Sequence, residues 1–243
     1  MKRTVLITGA STGLGLSLSE KFLATGDVVY GVTKTKRNWL SARRRLASSK
    51  DLFLYRADVR KETAARQIIS RIYRKAGRID ILINNAGYAN RPTRIENETL
   101  HELRENVSSN LFSTFLMSKY VLPIFKRQGE GWIINIASMA GKRAVPLLAA
   151  YSASKFGVLA ITQSIVKENP EAGFKCVAVC PGGMNTKMRE KVFGKEDAER
   201  QQSPDFVAGT IMEILDGKIE VPSGGDILIR HGAVTAINPL PEP

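Results

Sequence analysis

The chain opens with a strand, a glycine-rich turn and a helix in direct succession, and few folds accept that order. Thr4 to Thr8 (TVLIT) is a short apolar, β-branched run of the kind buried on both faces of a parallel sheet. Thr8-Gly9-Ala10-Ser11-Thr12-Gly13-Leu14-Gly15 follows, and LSLSEKFLATG after it has helical periodicity. Glycines let a backbone approach a phosphate closely, and a helix N-terminus offers unpaired N–H groups and the positive end of a dipole. The layout therefore predicts a dinucleotide cradle formed by Gly9, Ser11, Thr12, Gly13, Leu14 and Gly15.

The rest of the chain repeats the alternation. Patterning predicts strands over 4–8, 28–33, 52–57, 79–84, 131–137, 175–180 and 226–230, and helices over 14–25, 37–47, 62–76, 99–128, 152–168 and 204–216. This is an α/β chain: a single domain over 1–243, with a Rossmann-like doubly wound parallel sheet of about seven strands and helices on both faces. Right-handed crossovers set the strands' C-terminal ends along one rim, where ligands bind in such sheets. The proline-rich end, 237–243, reads as an irregular tail.

Tyr151-Ser152-Ala153-Ser154-Lys155 places a phenol and an ammonium four residues apart, on one helical face. A neighbouring cation favours tyrosinate, so Lys155 is expected to lower the Tyr151 pKa and make the phenol a proton donor and acceptor. Alone, this spacing also describes an exposed surface pair.

Composition narrows the chemistry. Two histidines and two cysteines, Cys176 and Cys180, do not assemble a zinc site, and no metal is expected. The cysteines would share a strand face, too far apart to bond, and read as buried thiols. No run nears the ~18 apolar residues of a membrane span, and the basic start lacks the apolar length of a secretion signal, so a cytoplasmic chain is expected. A formal charge of +13 suggests anionic partners or simply a solvated basic surface. Nucleic acid is not expected, because the basic residues are not interleaved with stacking aromatics.

In combination these segments resemble the short-chain dehydrogenase/reductase family, from about Lys2 to Ile229. Thr8, Gly9, Gly13 and Gly15 match its glycine motif, and Asn84-Asn85-Ala86-Gly87 its N-N-A-G element. Asn110 falls on the family's active-site Asn and Ser138 on its active-site Ser, with Tyr151 and Lys155 as the Y-x-x-x-K pair. Pro181-Gly182 matches the turn after the sixth strand, and Thr186 the position that touches the nicotinamide amide. The resemblance implies catalysis by Asn110, Ser138, Tyr151 and Lys155, and cofactor contacts from Asp58, Val59, Asn85, Ala86, Gly87, Pro181, Gly182 and Thr186 besides the glycine turn, Tyr151 and Lys155. In similar proteins the polar stretch at about 186–203 is a lid over the substrate; a plain surface helix is the alternative.

Thr33 stands where NAD-dependent members carry Asp, and Lys34, Lys36 and Arg37 follow. Cations there attract a 2′-phosphate, so NADP(H) is expected over NAD(H), with Thr33, Lys34 and Arg37 at the adenosine end. One departure is Thr12, where many NADP-using members carry a basic residue.

The expected reaction interconverts a ketone or aldehyde and an alcohol by hydride transfer, with Tyr151 as general acid/base. Pocket residues are expected at Tyr88, Asn90, Met139, Ala140, Val145, Met184, Met188 and Val192. Arg91, Arg94, Lys142, Arg143, Lys187 and Arg189 near the same rim leave open an anionic small-molecule substrate. Apolar residues on helices 99–128 and 152–168, among them Phe112, Phe115, Leu116, Phe156, Leu159 and Ile161, suggest a homodimer or homotetramer. A non-catalytic NADP(H)-sensing or interaction protein is the alternative; a sugar epimerase or dehydratase would need a longer chain.

Overall fold

The computed structural model describes residues 2–46 and 49–241. Strand β1 (Thr4–Thr8) is buried along its whole length, as its β-branched composition demands. It pairs in parallel with β2 (Val28–Thr33) on one side and β4 (Ile81–Asn84) on the other. The chain runs outward from β1 through β2 to β3 (Leu52–Arg56), then crosses back to β4 and continues through β5 (Gly131–Ile136), β6 (Phe174–Pro181) and β7 (Asp226–Arg230). The order β3-β2-β1-β4-β5-β6-β7 reverses between β1 and β4, which opens a crevice at the C-terminal rim.

Alternate residues of each strand serve opposite faces. Val5 and Ile7 pack with Leu14, Leu18 and Phe22 of α1 (Gly13–Ala24) and with Val207, Ala208 and Ile211 of α9 (Pro204–Leu215). Leu6 and Leu82 face the other way, onto Ile68, Ile69 and Ile72 of α3 (Glu62–Ala76) and Met117, Val121 and Phe125 of α5 (Ser113–Gln128). Helix α6 (Ala149–Lys167) joins that layer, its Val158 and Leu159 packed on Ala178 and Cys180 of β6. Helices thus cover both faces, as the alternation predicts.

Three differences from the sequence reading matter. The sheet has eight strands rather than about seven. Strand β8 (Ala233–Asn238) pairs antiparallel with β7 across the two-residue turn His231-Gly232, whose φ values of 51° and 71° are both positive. Two left-handed residues in a two-residue hairpin match the twist of the flanking strands. Ile237 and Asn238, expected in an irregular tail, therefore belong to a strand; Glu242 and Pro243 of that tail, like Ala47 at the end of helix 37–47, lie outside the described residues.

The helix expected over 99–128 is also interrupted. α4 (Leu100–Asn106) passes into a π-helical segment, Val107–Phe112, before α5 begins. Ser113 and Thr114 hydroxyls bond the carbonyl oxygens of Ser109 and Asn110, the local back-bonding that disturbs a regular ladder. Third, the polar stretch after β6 is helical: α7 (Lys187–Phe193) and α8 (Lys195–Glu199). The remaining helix, α2 (Lys36–Arg45), lies beside β3.

Candidate active site

The glycine turn is shaped by backbone that side chains would spoil. Gly13 has φ +52°, and a Cβ on Gly15 would sit 2.2 Å from the Gly9 carbonyl oxygen. Below the turn the Asn85 amide donates to the Thr8 and Gly9 carbonyls at 2.9 and 3.3 Å. The Thr8 hydroxyl accepts from both the Asn85 and Ala86 N–H at 3.0 Å. Asn85 is therefore a strut that holds the turn against the end of β4. Helix α1 starts at Gly13 with neither a side-chain cap nor an acidic residue in its first turn, so its leading N–H groups stay open to an anion. A cradle too tight for side chains, under an uncapped helix, fits a dinucleotide pyrophosphate.

The adenosine end is less uniform. The buried Thr33 hydroxyl shares a 2.9 Å hydrogen bond with Ser11, while Lys34 and Arg37 are exposed beside it. Asp58 is engaged by Arg60, which donates to both carboxylate oxygens at 2.9 and 2.8 Å and holds the Asp58 pKa below the usual carboxylate range. Lys34 stands 3.7 Å from the same carboxylate. The Val59 side chain is packed in the core.

Ser138, at the end of β5, accepts the Ala140 N–H at 3.1 Å and starts a short 3₁₀ turn over Met139–Gly141. α6 begins near it with no side-chain cap of its own. Glu98, far off in sequence, supplies one: its carboxylate accepts the Ala150 N–H at 3.3 Å and is held from the other side by buried Asn90 at 2.9 Å. That contact places Tyr151 in the first turn of α6 and Lys155 one turn further.

Tyr151 and Ser138 line one cavity of about 290 Å³ at the rim. Burial raises the phenol pKa, opposed by the Ser138 hydroxyl and by the positive charge of Arg189. Lys155 is packed beside that phenol. Its ammonium donates to the Ile136 carbonyl at 2.8 Å, lies 5.8 Å from the Tyr151 ring centre, and is pushed down to about 8 by burial. The phenol pKa therefore stands above its ordinary value rather than below it as expected, and the Lys155 ammonium is hydrogen-bonded to β5.

Asn110, in the π-helical segment, spends its whole amide on protein. It accepts from the Tyr88 N–H at 2.9 Å and donates to the Tyr88 carbonyl at 2.8 Å and the Ser154 hydroxyl at 2.9 Å. It clamps the loop after Gly87 to α6. Gly87 abuts this amide, since a Cβ there would stand 2.8 Å from Asn110 Oδ1 and 3.8 Å from Lys155 Nζ.

Pro181, Gly182 and Thr186 also line the cavity. Thr186 caps α7 by accepting the Arg189 N–H at 3.2 Å, and a Cβ on Gly13 would meet its methyl at 3.1 Å, so the start of α7 touches the glycine turn. Met139, Ala140, Val145, Met184, Met188 and Val192 line the cavity as expected, but Tyr88 and Asn90 do not. Asn90 is 1% exposed and bonded to Glu98 and Asn106. Of the six rim cations read from the sequence, Arg143 and Arg189 reach the cavity; Lys142 is paired to Asp226 at 2.7 Å and Arg94 stands 3.7 Å from Glu96. The sequence reading missed Arg230 and His231, which line the cavity from the β7–β8 hairpin, and Glu98. The pair of short apolar runs around a two-residue His-Gly turn is the signal that would have found the hairpin.

A doubly wound sheet, a glycine cradle at its switch point and a serine–tyrosine–lysine group on the same rim describe a nucleotide-dependent oxidoreductase scaffold. The short chain dehydrogenase family model matches residues 3–197, and the chain belongs to that family of oxidoreductases. It is 33% identical over 250 residues to 2-(R)-hydroxypropyl-CoM dehydrogenase of Xanthobacter autotrophicus, covering 98% of this chain and 100% of that protein. It is 30% identical over 227 residues to the NADPH-dependent pterin aldehyde reductase of Arabidopsis thaliana, covering 93% of each. The crystal structure of levodione reductase superposes with a TM-score of 0.87 at 26% identity, over 95% of this chain and 96% of that one. Among the described residues no helix is long and apolar enough to cross a membrane.

Proposed function

We propose that the protein is an NADP(H)-dependent oxidoreductase that interconverts a ketone or aldehyde and the corresponding alcohol, with Tyr151 as general acid/base. One observation carries this reading: Tyr151 and Ser138 face a single cavity whose far wall, at Thr186, touches the glycine turn. The nicotinamide, when bound, supplies or takes up the hydride. Tyr151 gives its proton to the developing alkoxide during reduction and takes it back during oxidation. Ser138 donates a hydrogen bond to the same oxygen and orients it. Lys155 holds the nicotinamide ribose through its ammonium, and Asn110 positions that ammonium's surroundings through Tyr88 and Ser154.

Gly9, Ser11, Thr12, Gly13, Leu14 and Gly15 would hold the pyrophosphate, with Asn85, Ala86 and Gly87 as further cofactor contacts. Lys34 and Arg37 take the 2′-phosphate, and a neutral Thr33 leaves it unrepelled. The NADPH dependence in the name of the Arabidopsis relative supports that preference. Residues 186–203 cover the substrate as a lid, which the contact of Thr186 with the glycine turn favours. Phe112, Phe115 and Phe156 are 52%, 50% and 44% exposed and supply an apolar face for a homo-oligomer, whereas Leu116 and Leu159 belong to the core.

The test is Tyr151→Phe, assayed with NADPH and a panel of carbonyl compounds at the nicotinamide absorbance. The phenol's loss is expected to reduce kcat by roughly 10²- to 10⁴-fold with NADPH affinity retained. Full turnover in this variant would refute the assignment.

A further inference from the structure

The cavity beside Tyr151 has a charge imbalance that the proposed chemistry does not use. Arg143, Arg189, Arg230 and His231 line it, and no aspartate or glutamate does. Arg189 is already paired: it donates to both carboxylate oxygens of Asp197 and lies 3.9 Å over the Phe193 ring. Arg143 and Arg230 are different. Among the described residues, neither has a carboxylate within 4.0 Å or a side-chain hydrogen bond. They reach the cavity from separate elements, Arg143 from the loop after the Ser138 turn and Arg230 from the last position of β7.

Arg230 sits on rigid backbone. It pairs with Ala233 across the tight turn. Its stem lies against Gly182, where an added Cβ would be 3.3 Å from Arg230 Cγ. Gln202 clasps the turn on both sides, donating to the Ile229 carbonyl and accepting the Gly232 N–H, each at 3.1 Å. A guanidinium placed this way loses little freedom on meeting a planar oxyanion. Met184, Met188 and Val192 give the same cavity apolar walls beside the two guanidinium groups.

We infer that the substrate is an anionic carbonyl compound or its alcohol, whose carboxylate, sulfonate or phosphate is held by Arg143 and Arg230 while its carbonyl faces Tyr151 and Ser138. This rests on the oxidoreductase reading for the location of the carbonyl but not for the binding of the anion.

The test is a calorimetric titration of the protein saturated with NADP⁺. Acetoacetate, 2-oxopropane-1-sulfonate and dihydroxyacetone phosphate serve as the three oxyanions and ethyl acetoacetate as the neutral ketone. At least one oxyanion is expected to bind tenfold or more tightly than the ester, and the arm that does so identifies the group. Arg230→Gln and Arg143→Gln are each expected to remove that preference, with partial restoration in Arg230→Lys. The proposal is overturned if the ester binds as tightly as every oxyanion, or if both glutamine variants keep the preference. Because the titration reads binding, its outcome separates from turnover: a preference that persists in Tyr151→Phe supports the anion site whatever that variant does to catalysis.

Discussion

The two ends of the cleft are made from different material. At the β1 end the surface is largely backbone: a turn with no room for a side chain at Gly9 or Gly15, an open helix terminus and the Asn85 strut beneath. At the β7 end it is side chains from the Ser138 loop, α7 and the β7–β8 hairpin. The first surface is specified by a handful of adjacent residues and is intolerant of change. The second depends on long-range assembly and leaves each position free to vary. A common cofactor fold can therefore serve many substrates.

The sharpest way to break this contrast is Gly15→Ala. Its methyl overlaps the Gly9 carbonyl, and overpacking of a tight site costs about 1–3 kcal/mol. NADPH affinity is expected to fall by roughly 10- to 100-fold, read by fluorescence titration; a variant that binds normally would show that the turn is not the cradle. Next comes Lys34→Ala with Arg37→Ala, expected to reduce the ratio of NADPH to NADH affinity by about 10- to 100-fold with NADH binding itself maintained. An unchanged ratio would move cofactor selection elsewhere.

Lys155 offers a smaller effect with a defined sign. Its folded pKa of about 8 lies below the ordinary lysine value of 10.5, so its ammonium is present below pH 8 and lost as pH rises through that value. NADPH affinity should hold steady up to about pH 8 and then weaken by up to about tenfold per unit. Stability without cofactor should move oppositely. The cost of burying the charge is complete below the folded pKa and disappears toward the unfolded one, a gain of roughly 3 kcal/mol across that window. Denaturation of Lys155→Met at a series of pH values should lack this rise; a parallel curve for the two proteins would mean the ammonium is not buried.

The smallest expected effect is Glu98→Gln, which keeps the shape but removes the charge that caps α6. About 1 kcal/mol of stability and a few-fold loss in kcat are expected, measured by urea denaturation and steady-state assay. A larger loss in NADPH binding than in kcat would place Glu98 in the service of the other end of the cleft.

The same division explains what could be read from the sequence. The strand–turn–helix start and the helix at Glu62–Ala76 follow from local patterns, because short-range periodicity and backbone chemistry dictate them, whereas the grouping of Ser138 with Tyr151 and Lys155 is implied by the family resemblance. β8 escaped because the segment alternates weakly and its first three residues face solvent. With the hairpin unseen, Arg230 and His231 had no predicted place at the rim. Asn90 was assigned to the pocket by proximity in sequence, yet it answers to Glu98 and Asn106 in a buried network that no spacing rule reveals. The pairing of Lys155 with the Ile136 carbonyl rather than the Tyr151 phenol is likewise set by three-dimensional neighbours.

The tight turn between β7 and β8 lies beyond residue 197, where the match to the family model stops. The hairpin that carries Arg230 and His231 into the cavity is thus built outside the segment that the family model matches. Gln202 clasps the hairpin only through main-chain groups, whereas Asp226 pairs with Lys142 and Ile227 and Ile229 pack in the core, so exchange between relatives that leaves the sheet untouched is confined to the turn at 230–232 rather than to the whole of residues 226–238.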